Sequence, residues 1–464
     1  MTRRPQRPMK NLASVVALLL SVSAWGCTRP AASEGAPVQP AAPAPVPTPA
    51  LAKTTPSTTP GQAAGPARPK EPLNVILLTI DSMRADMPWA GYDKAIAPHL
   101  TEFAKECVVY ENHRSVSSYT AQTVATLLSG RYASTLYRTG TFFTNYSDAN
   151  EWVTEPLQAK GVRTMAVQAH LYFDRASGLK QGFDIWRMVP GLVWNAQTDE
   201  NVTGAKSVDA MVSLLADPAN TKGQFFLWNH LMDPHDKYVK HEESPDFGKD
   251  NRGRYDSEMW FVDQQLGRFF EFAKKQPWWG RTAVIISADH GEAFGDHGMH
   301  KHAFEIWEVL TRVPLLVYAP GAAPRRVSAS RSHIDIAPTI ADLMGQEPLP
   351  TFQGKSLAPD LYGSGEPENR EPILLELAED TNNAARRAVV VAGNKLIQWD
   401  SGKKALFHLT SDPTEAHDVL KDEPKLAQEL SAVLDAKFGA LPVVRPYGGN
   451  KLKSGKSADG PKGP

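Results

Sequence analysis

Two apolar runs in this chain end on residues able to hold a cation. Asn74-Val-Ile-Leu-Leu-Thr-Ile80 leads straight into Asp81-Ser-Met-Arg84-Ala-Asp86, and Thr282-Ala-Val-Ile-Ile-Ser287 leads into Ala288-Asp289-His290-Gly291-Glu292. In open α/β sheets the residues just past the carboxyl ends of the strands line the ligand crevice, so Asp81, Asp289 and His290 can converge on one point. An Asp after a strand is commonly no more than a turn or helix cap. Two strands ending in Asp and in Asp-His is a rarer coincidence. A third element is Thr120, at the start of the helical pattern Ala121-Gln-Thr-Val-Ala-Thr-Leu-Leu128, where Val124, Leu127 and Leu128 share a face. Its hydroxyl then lies at the positive end of a helix dipole, a place that suits an anion. Four of the 13 histidines (His290, His297, His300 and His302) fall between 290 and 302.

The elements that must position these groups are legible around them. The runs at 74–80, at 282–287 and at Val313-Pro-Leu-Leu-Val-Tyr318 are short, rich in β-branched residues and apolar throughout, which predicts buried strands of a parallel or mixed sheet. Helical patterns lie between them, at Pro98 to Cys107, Ala121 to Leu128 and Tyr255 to Ala273. Alternation of this kind predicts an α/β domain with helices on both faces of a large sheet. After Leu357 shorter strands follow, at 373–376, 388–392, 395–399 and 406–409, predicting a smaller C-terminal antiparallel α+β unit. No internal repeat is present.

Composition narrows the function classes. Fifty Lys and Arg against 51 Asp and Glu leave a formal net charge of −1 over 464 residues, so no basic excess exists to neutralise a nucleic-acid backbone. The N-terminus carries Arg3, Arg4, Arg7 and Lys10 ahead of an apolar run from Leu12 to Ala24 that is too short to span a bilayer, the pattern of a secretory signal over 1–26. Ala24-Trp-Gly-Cys27 resembles the lipobox of bacterial lipoproteins, which implies lipid attachment at Cys27 and an exported protein anchored to the envelope; soluble secretion is the alternative. Ala24 stands where that box usually has Leu, and Thr28 after the Cys resembles the outer-membrane sorting pattern. Residues 27–70, mostly Ala, Pro, Thr, Gly and Ser, read as a flexible tether, and 446–464 as a disordered tail. Between them the chain divides at about 365 into a catalytic domain (71–365) and the smaller subdomain (366–445). Cys107, the second of two cysteines, sits in a helix-like run from Phe103 to Val109 and reads as a small buried hydrophobe, with no disulfide framework.

The order of these motifs resembles the sulfatase family of the alkaline-phosphatase superfamily. Asp81-x-x-Arg84-x-Asp86, Thr120 ahead of Ser129-Gly-Arg-Tyr132, Ser287-Ala-Asp-His-Gly-Glu292, His297-Gly298, and His302 ten residues before Arg312-Val-Pro-Leu315 carry the likeness. His230-Leu-Met-Asp-Pro234-His235-Asp-Lys-Tyr238, Gln181-Gly-Phe-Asp184, Val262-Asp-Gln-Gln-Leu-Gly267, His333-Ile-Asp-Ile-Ala-Pro-Thr339 and Leu406-Phe-His-Leu-Thr-Ser-Asp-Pro413 extend it over most of 72–425. The resemblance implies that Asp81, Asp289 and His290 bind one divalent metal ion with Thr120 as both ligand and nucleophile. It also implies that His235 and His302 touch the ester oxygens or protonate the leaving group. A free Thr hydroxyl is too weakly acidic to attack at neutral pH, and a cation beside it favours the alkoxide. Two carboxylates, an alkoxide and one imidazole suit Mn or Zn better than Ca or Mg, which stand as alternatives. His235, His300 and His302 could hold a second ion.

Two departures matter. Members of the family that oxidise Cys or Ser to formylglycine carry it in Cys/Ser-x-Pro-x-Arg, whereas here the stretch is Thr120-Ala-Gln-Thr-Val124, without the Pro and the Arg, and Thr cannot yield that aldehyde. Ser82 stands where such members often place another metal-binding Asp. Both resemble the threonine branch, with its phosphodiesterases and its transferases of lipid-linked phosphoethanolamine or phosphoglycerol. The expectation is therefore a hydrolase of a phosphate ester, phosphodiester or monoester, on an envelope or extracellular glycan or lipid. A sulfate ester is the first alternative. The chain lacks the several transmembrane helices of the branch's transferases, which makes transfer the second alternative. A catalytically silent surface binding protein is the third, though it need not have kept all four of Asp81, Thr120, Asp289 and His290. Trp228, Trp307 and Tyr119 could stack on a substrate ring or belong to the core.

Overall fold

The computed structural model describes residues 67–174, 177–193 and 201–448. The signal segment, Cys27, nearly all of the tether and the end of the tail lie outside the described residues. Three seven-residue runs, Asn74–Ile80, Phe225–Leu231 and Thr282–Ala288, form strands buried along their whole length. Runs that are apolar on both faces can satisfy their backbone groups only at the centre of a sheet covered on both sides. They lie side by side in an eight-stranded sheet whose order is Arg325–Val327, Val108–Tyr110, Leu315–Tyr318, Thr282–Ala288, Asn74–Ile80, Phe225–Leu231, Arg163–Gln168 and Ile185–Met188. Leu315–Tyr318 runs antiparallel to both its neighbours, and every other pairing is parallel. The sheet is thus mixed.

Alternate residues serve opposite faces. Leu77, Trp228 and Ile285 pack with the helix Thr120–Ser129, through Val124, Leu127 and Leu128. Ile76, Leu78, Leu227 and Ile286 pack with Val262 and Leu266 of the helix Asn251–Ala273. Each such fully buried aliphatic contributes about 1.5–3 kcal/mol. The helix Thr120–Ser129 is stopped by Gly130, whose φ of +61° an L side chain rarely adopts and whose added Cβ would meet Phe352 Cδ1 at 2.9 Å.

The C-terminal unit is a four-stranded antiparallel sheet of Ile373–Leu377, Arg386–Val391, Asn394–Trp399 and Lys404–His408. Leu430, Leu434 and Phe438 of the helix Pro424–Gly439 close it against Val389, Leu396 and Leu406. No helix among the described residues is long and apolar enough to cross a membrane.

One local reading is corrected. The helix-like run from Phe103 to Val109 breaks: the helix Pro98–Ala104 ends early and Val108–Tyr110 joins the main sheet. Cys107, between them, is buried and its thiol is pushed up by burial. Sheet pairing outweighed a helical periodicity only two turns long.

Candidate active site

Asp81 and the Asp289-His290 pair arrive from the carboxyl edge of the sheet. Asp81 follows the central strand, Asp289 and His290 follow its parallel neighbour, and all three are fully buried. Thr120, at the first turn of its helix, is part-buried beside them: its Oγ1 lies 3.0 Å from Asp81 Oδ2 and 3.2 Å from His290 Nε2. Ser82, with φ +58°, turns its N–H onto Asp289 Oδ1 at 3.2 Å and donates its hydroxyl to Asp81 Oδ1 at 2.8 Å. A non-glycine in the left-handed region is a strain held by its surroundings. Here the surroundings include Tyr255, whose hydroxyl donates to Ser82 O at 3.0 Å.

The protons of this cluster can be placed. His290 Nδ1 lies 2.9 Å from Gly291 O, so that nitrogen carries the proton and Nε2 presents a lone pair. Nε2 lies 3.4 Å from Asp289 Oδ2 and 3.7 Å from Asp81 Oδ1. Asp289 Oδ2 has no hydrogen-bond partner, and its twin Oδ1 accepts from His290 N at 2.9 Å. Three acceptors thus face one another without a proton between them, an arrangement that costs energy unless a cation sits among them. Asp81, Asp289 and His290 offer ligand atoms that lie within 4.8 Å of one another, the one such group of three among the described residues. The residues present therefore fit a divalent metal.

Burial opposes the charge on Asp81, but the imidazole of His235 and the hydrogen bond from His230 outweigh it and hold the carboxyl well below the usual carboxylate range. Burial also keeps His290 below the ordinary imidazole value, the neutral state a metal ligand requires.

A second arc of imidazoles crosses the mouth. The His302 ring lies 4.2 Å from that of His290 and 4.9 Å from that of His235, and His170 lies 6.5 Å beyond His235. His302 Nδ1 is 3.2 Å from each oxygen of Glu292. Burial works against its charge, yet the Glu292 carboxylate prevails and holds His302 up to about 9. His235 Nδ1 lies 2.6 Å from Asp236 O, and Lys301 pairs with Asp236 Oδ2 at 2.7 Å across the same rim. His300 and Lys301 are exposed, and His297 stacks on Trp307 at 4.0 Å. His300 is thus not brought into the arc with His235 and His302. Tyr119 and Trp228 are core side chains, bonded to Asp380 and to Thr79 respectively.

Two residues in the centre carried no assigned role in the sequence. His230 reaches Asp81 Oδ2 at 3.2 Å from inside a strand buried along its whole length, and Glu292 holds His302. Both stood in motifs that were legible. A His closing the run Phe225-Phe-Leu-Trp-Asn-His230, just ahead of the Asp-Pro-His motif, was the available signal.

The sulfatase family profile matches residues 73–346, more than half of the chain. The chain belongs to the sulfatase family. The profile of the N-sulphoglucosamine sulphohydrolase C-terminal region matches residues 295–441, so both units of the fold have counterparts in the family. Among curated relatives, the choline-sulfatase of Rhizobium meliloti is 29% identical over 36% of this chain and 32% of its own length, and the ulvan-active sulfatase of Formosa agariphila is 25% identical over 80% and 82%. The match to the first of these therefore spans about a third of that relative. The solved phosphonate monoester hydrolase of Agrobacterium radiobacter shares the fold with a TM-score of 0.64 at 18% identity, covering 80% of this chain and 95% of that one. The mixed sheet with its C-terminal antiparallel unit is the sulfatase fold.

Proposed function

We propose that this sulfatase-family chain is a metal-dependent hydrolase that uses Thr120 as nucleophile, on a phosphorus ester in preference to a sulfate ester. The observation that carries it is the Thr120 hydroxyl, which stands at a helix N-terminus within hydrogen-bond reach of both Asp81 and His290. The ion held by Asp81, Asp289 and His290 would lower the proton affinity of that hydroxyl and screen the anionic ester; the donor set favours Mn or Zn. Thr120, having given its proton to solvent, forms a bond from Oγ1 to phosphorus as the P–O bond to the alcohol breaks. His302, charged against Glu292, is placed to give the leaving oxygen its proton. In the second step water gives a proton back to His302, bonds to phosphorus and releases Thr120 Oγ1.

The charge of the site supports a monoanionic ester. Lys301 is matched by Asp236 and Arg84 by Asp86 and Asp296, so the ester is met chiefly by imidazoles, which suit a phosphodiester better than a dianionic phosphomonoester. Sulfate esters are monoanions too, and the names of the relatives favour that second reading. Rates on one aryl leaving group carried as phosphodiester, phosphomonoester and sulfate, with Thr120→Ala as control, separate them. Phosphodiester turnover lost in Thr120→Ala is the expected result, and Thr120-dependent sulfate turnover alone overturns the preference. We also propose an exported, lipid-anchored protein, on the pattern of residues 1–27 alone; metabolic labelling with a radiolabelled fatty acid, lost in Cys27→Ser, tests it.

A further inference from the structure

Behind Asp81 runs a hydrogen-bond chain with a direction. An indole nitrogen can only donate, and Trp228 Nε1 donates to Thr79 Oγ1 at 3.0 Å. Thr79 Oγ1 lies 2.7 Å from His230 Nδ1, and His230 Nε2 lies 3.2 Å from Asp81 Oδ2. With the Thr79 proton on the His230 Nδ1 lone pair, the neutral ring carries its own proton on Nε2, toward the carboxylate. The opposite tautomer would set an imidazole lone pair against a carboxylate lone pair in a dry site.

The strands build this chain. Thr79 and His230 are partners in the parallel register, and Trp228, two residues before His230, points to the same face. All four side chains are fully buried, and Phe173 packs edge-on against both the indole and the imidazole, at 5.7 and 5.1 Å. Ser82 takes Asp81 Oδ1 and His230 takes Oδ2, so the carboxylate has a donor on each oxygen and its plane cannot rotate away from Thr120 and Asp289.

We propose that Trp228, Thr79 and His230 are positioning residues that fix the Asp81 carboxylate for the divalent cation and for Thr120. This deepens the proposed function and rests on its assignment of Asp81 as a metal ligand. Groups that orient metal ligands typically control about 10–100-fold in metal affinity.

The test uses purified, metal-stripped protein and Zn2+ alone, titrated against a chromogenic chelator, with folding checked by circular dichroism. His230→Phe is expected to weaken Zn2+ binding about 10–100-fold and Thr79→Val by up to about tenfold. His230→Gln, whose amide can place a donor near the Nε2 position, and Thr79→Ser, which keeps the hydroxyl, are expected within a few-fold of the wild type. Side-chain 15N NMR on histidine-labelled protein reads the tautomer directly, His230 being assigned by its loss in His230→Gln. Protonated Nε2 in the wild type, mixed with the other tautomer in Thr79→Val, is expected. Folded Thr79→Val and His230→Phe that bind Zn2+ within twofold of the wild type overturn the positioning role, as does a wild-type His230 protonated on Nδ1 alone. Should His230→Phe not fold, Thr79→Val and the tautomer decide. A wild type that binds no Zn2+ overturns the metal reading itself, a different result from a wild type that binds and variants that bind equally well.

Discussion

Glu292 turns both carboxylate oxygens toward one nitrogen, Nδ1 of His302, at 3.2 Å each. That contact outweighs burial and keeps the imidazole protonated to about pH 9, so an enzyme that needs the proton on His302 loses rate as pH rises through that value. Glu292→Gln removes the charge and keeps the shape. The alkaline limb of kcat/KM is expected to move down toward the ordinary histidine value, with kcat at pH 8 reduced about 10–100-fold, within the range general acids contribute. An unmoved limb in the pH profile of Glu292→Gln would take His302 out of the proton transfer.

Asp289 Oδ2 and His290 Nε2 face each other at 3.4 Å with no proton between them. Without metal this is a cost, and Asp289→Asn relieves it by offering an N–H. The metal-stripped Asp289→Asn protein is expected to be more stable than the stripped wild type by about 1–2 kcal/mol in denaturant unfolding, the scale of one satisfied buried group. In the presence of metal the order reverses, because the variant gives up an anionic ligand. Equal stabilities in both conditions would remove the cation from this cluster.

Gly291 owes its place to space. A Cβ there would stand 2.1 Å from Val309 O, a backbone atom that cannot swing aside, while Gly291 N donates to Leu310 O at 2.8 Å. Gly291→Ala is therefore expected to cost about 1–3 kcal/mol, as overpacking does, and to displace His290 and weaken metal binding with it. Thermal unfolding with and without added Zn2+ reads both effects.

The groups at the ends of strands were legible because chemistry-bearing residues interrupt apolar runs abruptly: Asp81 after Ile80, Asp289 after Ala288. Thr120 was legible because helical periodicity starts there and the helix does begin at that residue. His230 was hidden by its own strand, because Phe225–Leu231, which was not singled out in the sequence, is buried along its whole length and a polar side chain is absorbed into it. An apolar run also has no direction, so nothing in Leu315–Tyr318 announced that it would run against its neighbours. The contribution of the C-terminal unit to the site was illegible for a third reason: it depends on charges that meet Glu308 from 87, 107 and 194 residues away in sequence.

Those charges form a buried, balanced set of Arg114, Glu308, Lys395 and Glu415. Arg114 Nη2 meets Glu308 Oε2 at 2.8 Å, Lys395 Nζ lies 3.1 Å from Glu308 Oε1 and 2.9 Å from Glu415 Oε1, and Glu415 Oε2 accepts from Glu308 N at 2.6 Å. Lys395 also donates to Ile306 O at 2.7 Å, so the C-terminal unit grips the chain immediately after His302. In that stretch Lys301, Ala303 and Phe304 all have positive φ, of 71°, 63° and 61°. Conformations of that kind persist only when the surroundings enforce them. Lys395→Met strips one cation from two buried carboxylates and is expected to destabilise the protein by about 3–5 kcal/mol. A milder variant isolates the electrostatics. Burial alone would raise Glu308, but Arg114 and Lys395 prevail and hold it down to about 2. An acid with a depressed folded pKa contributes stability that is fully present above its unfolded value, about 4.3, and is lost as pH falls toward 2. Glu308→Gln is therefore expected to lower stability at pH 7 and to flatten its decline between about pH 4.3 and 2. Unfolding midpoints across that window, together with kcat at pH 7, show whether the grip on residues 303–308 also holds His302 in place: kcat falling in the folded variant is the expected outcome, and unchanged kcat would confine the cluster to stability.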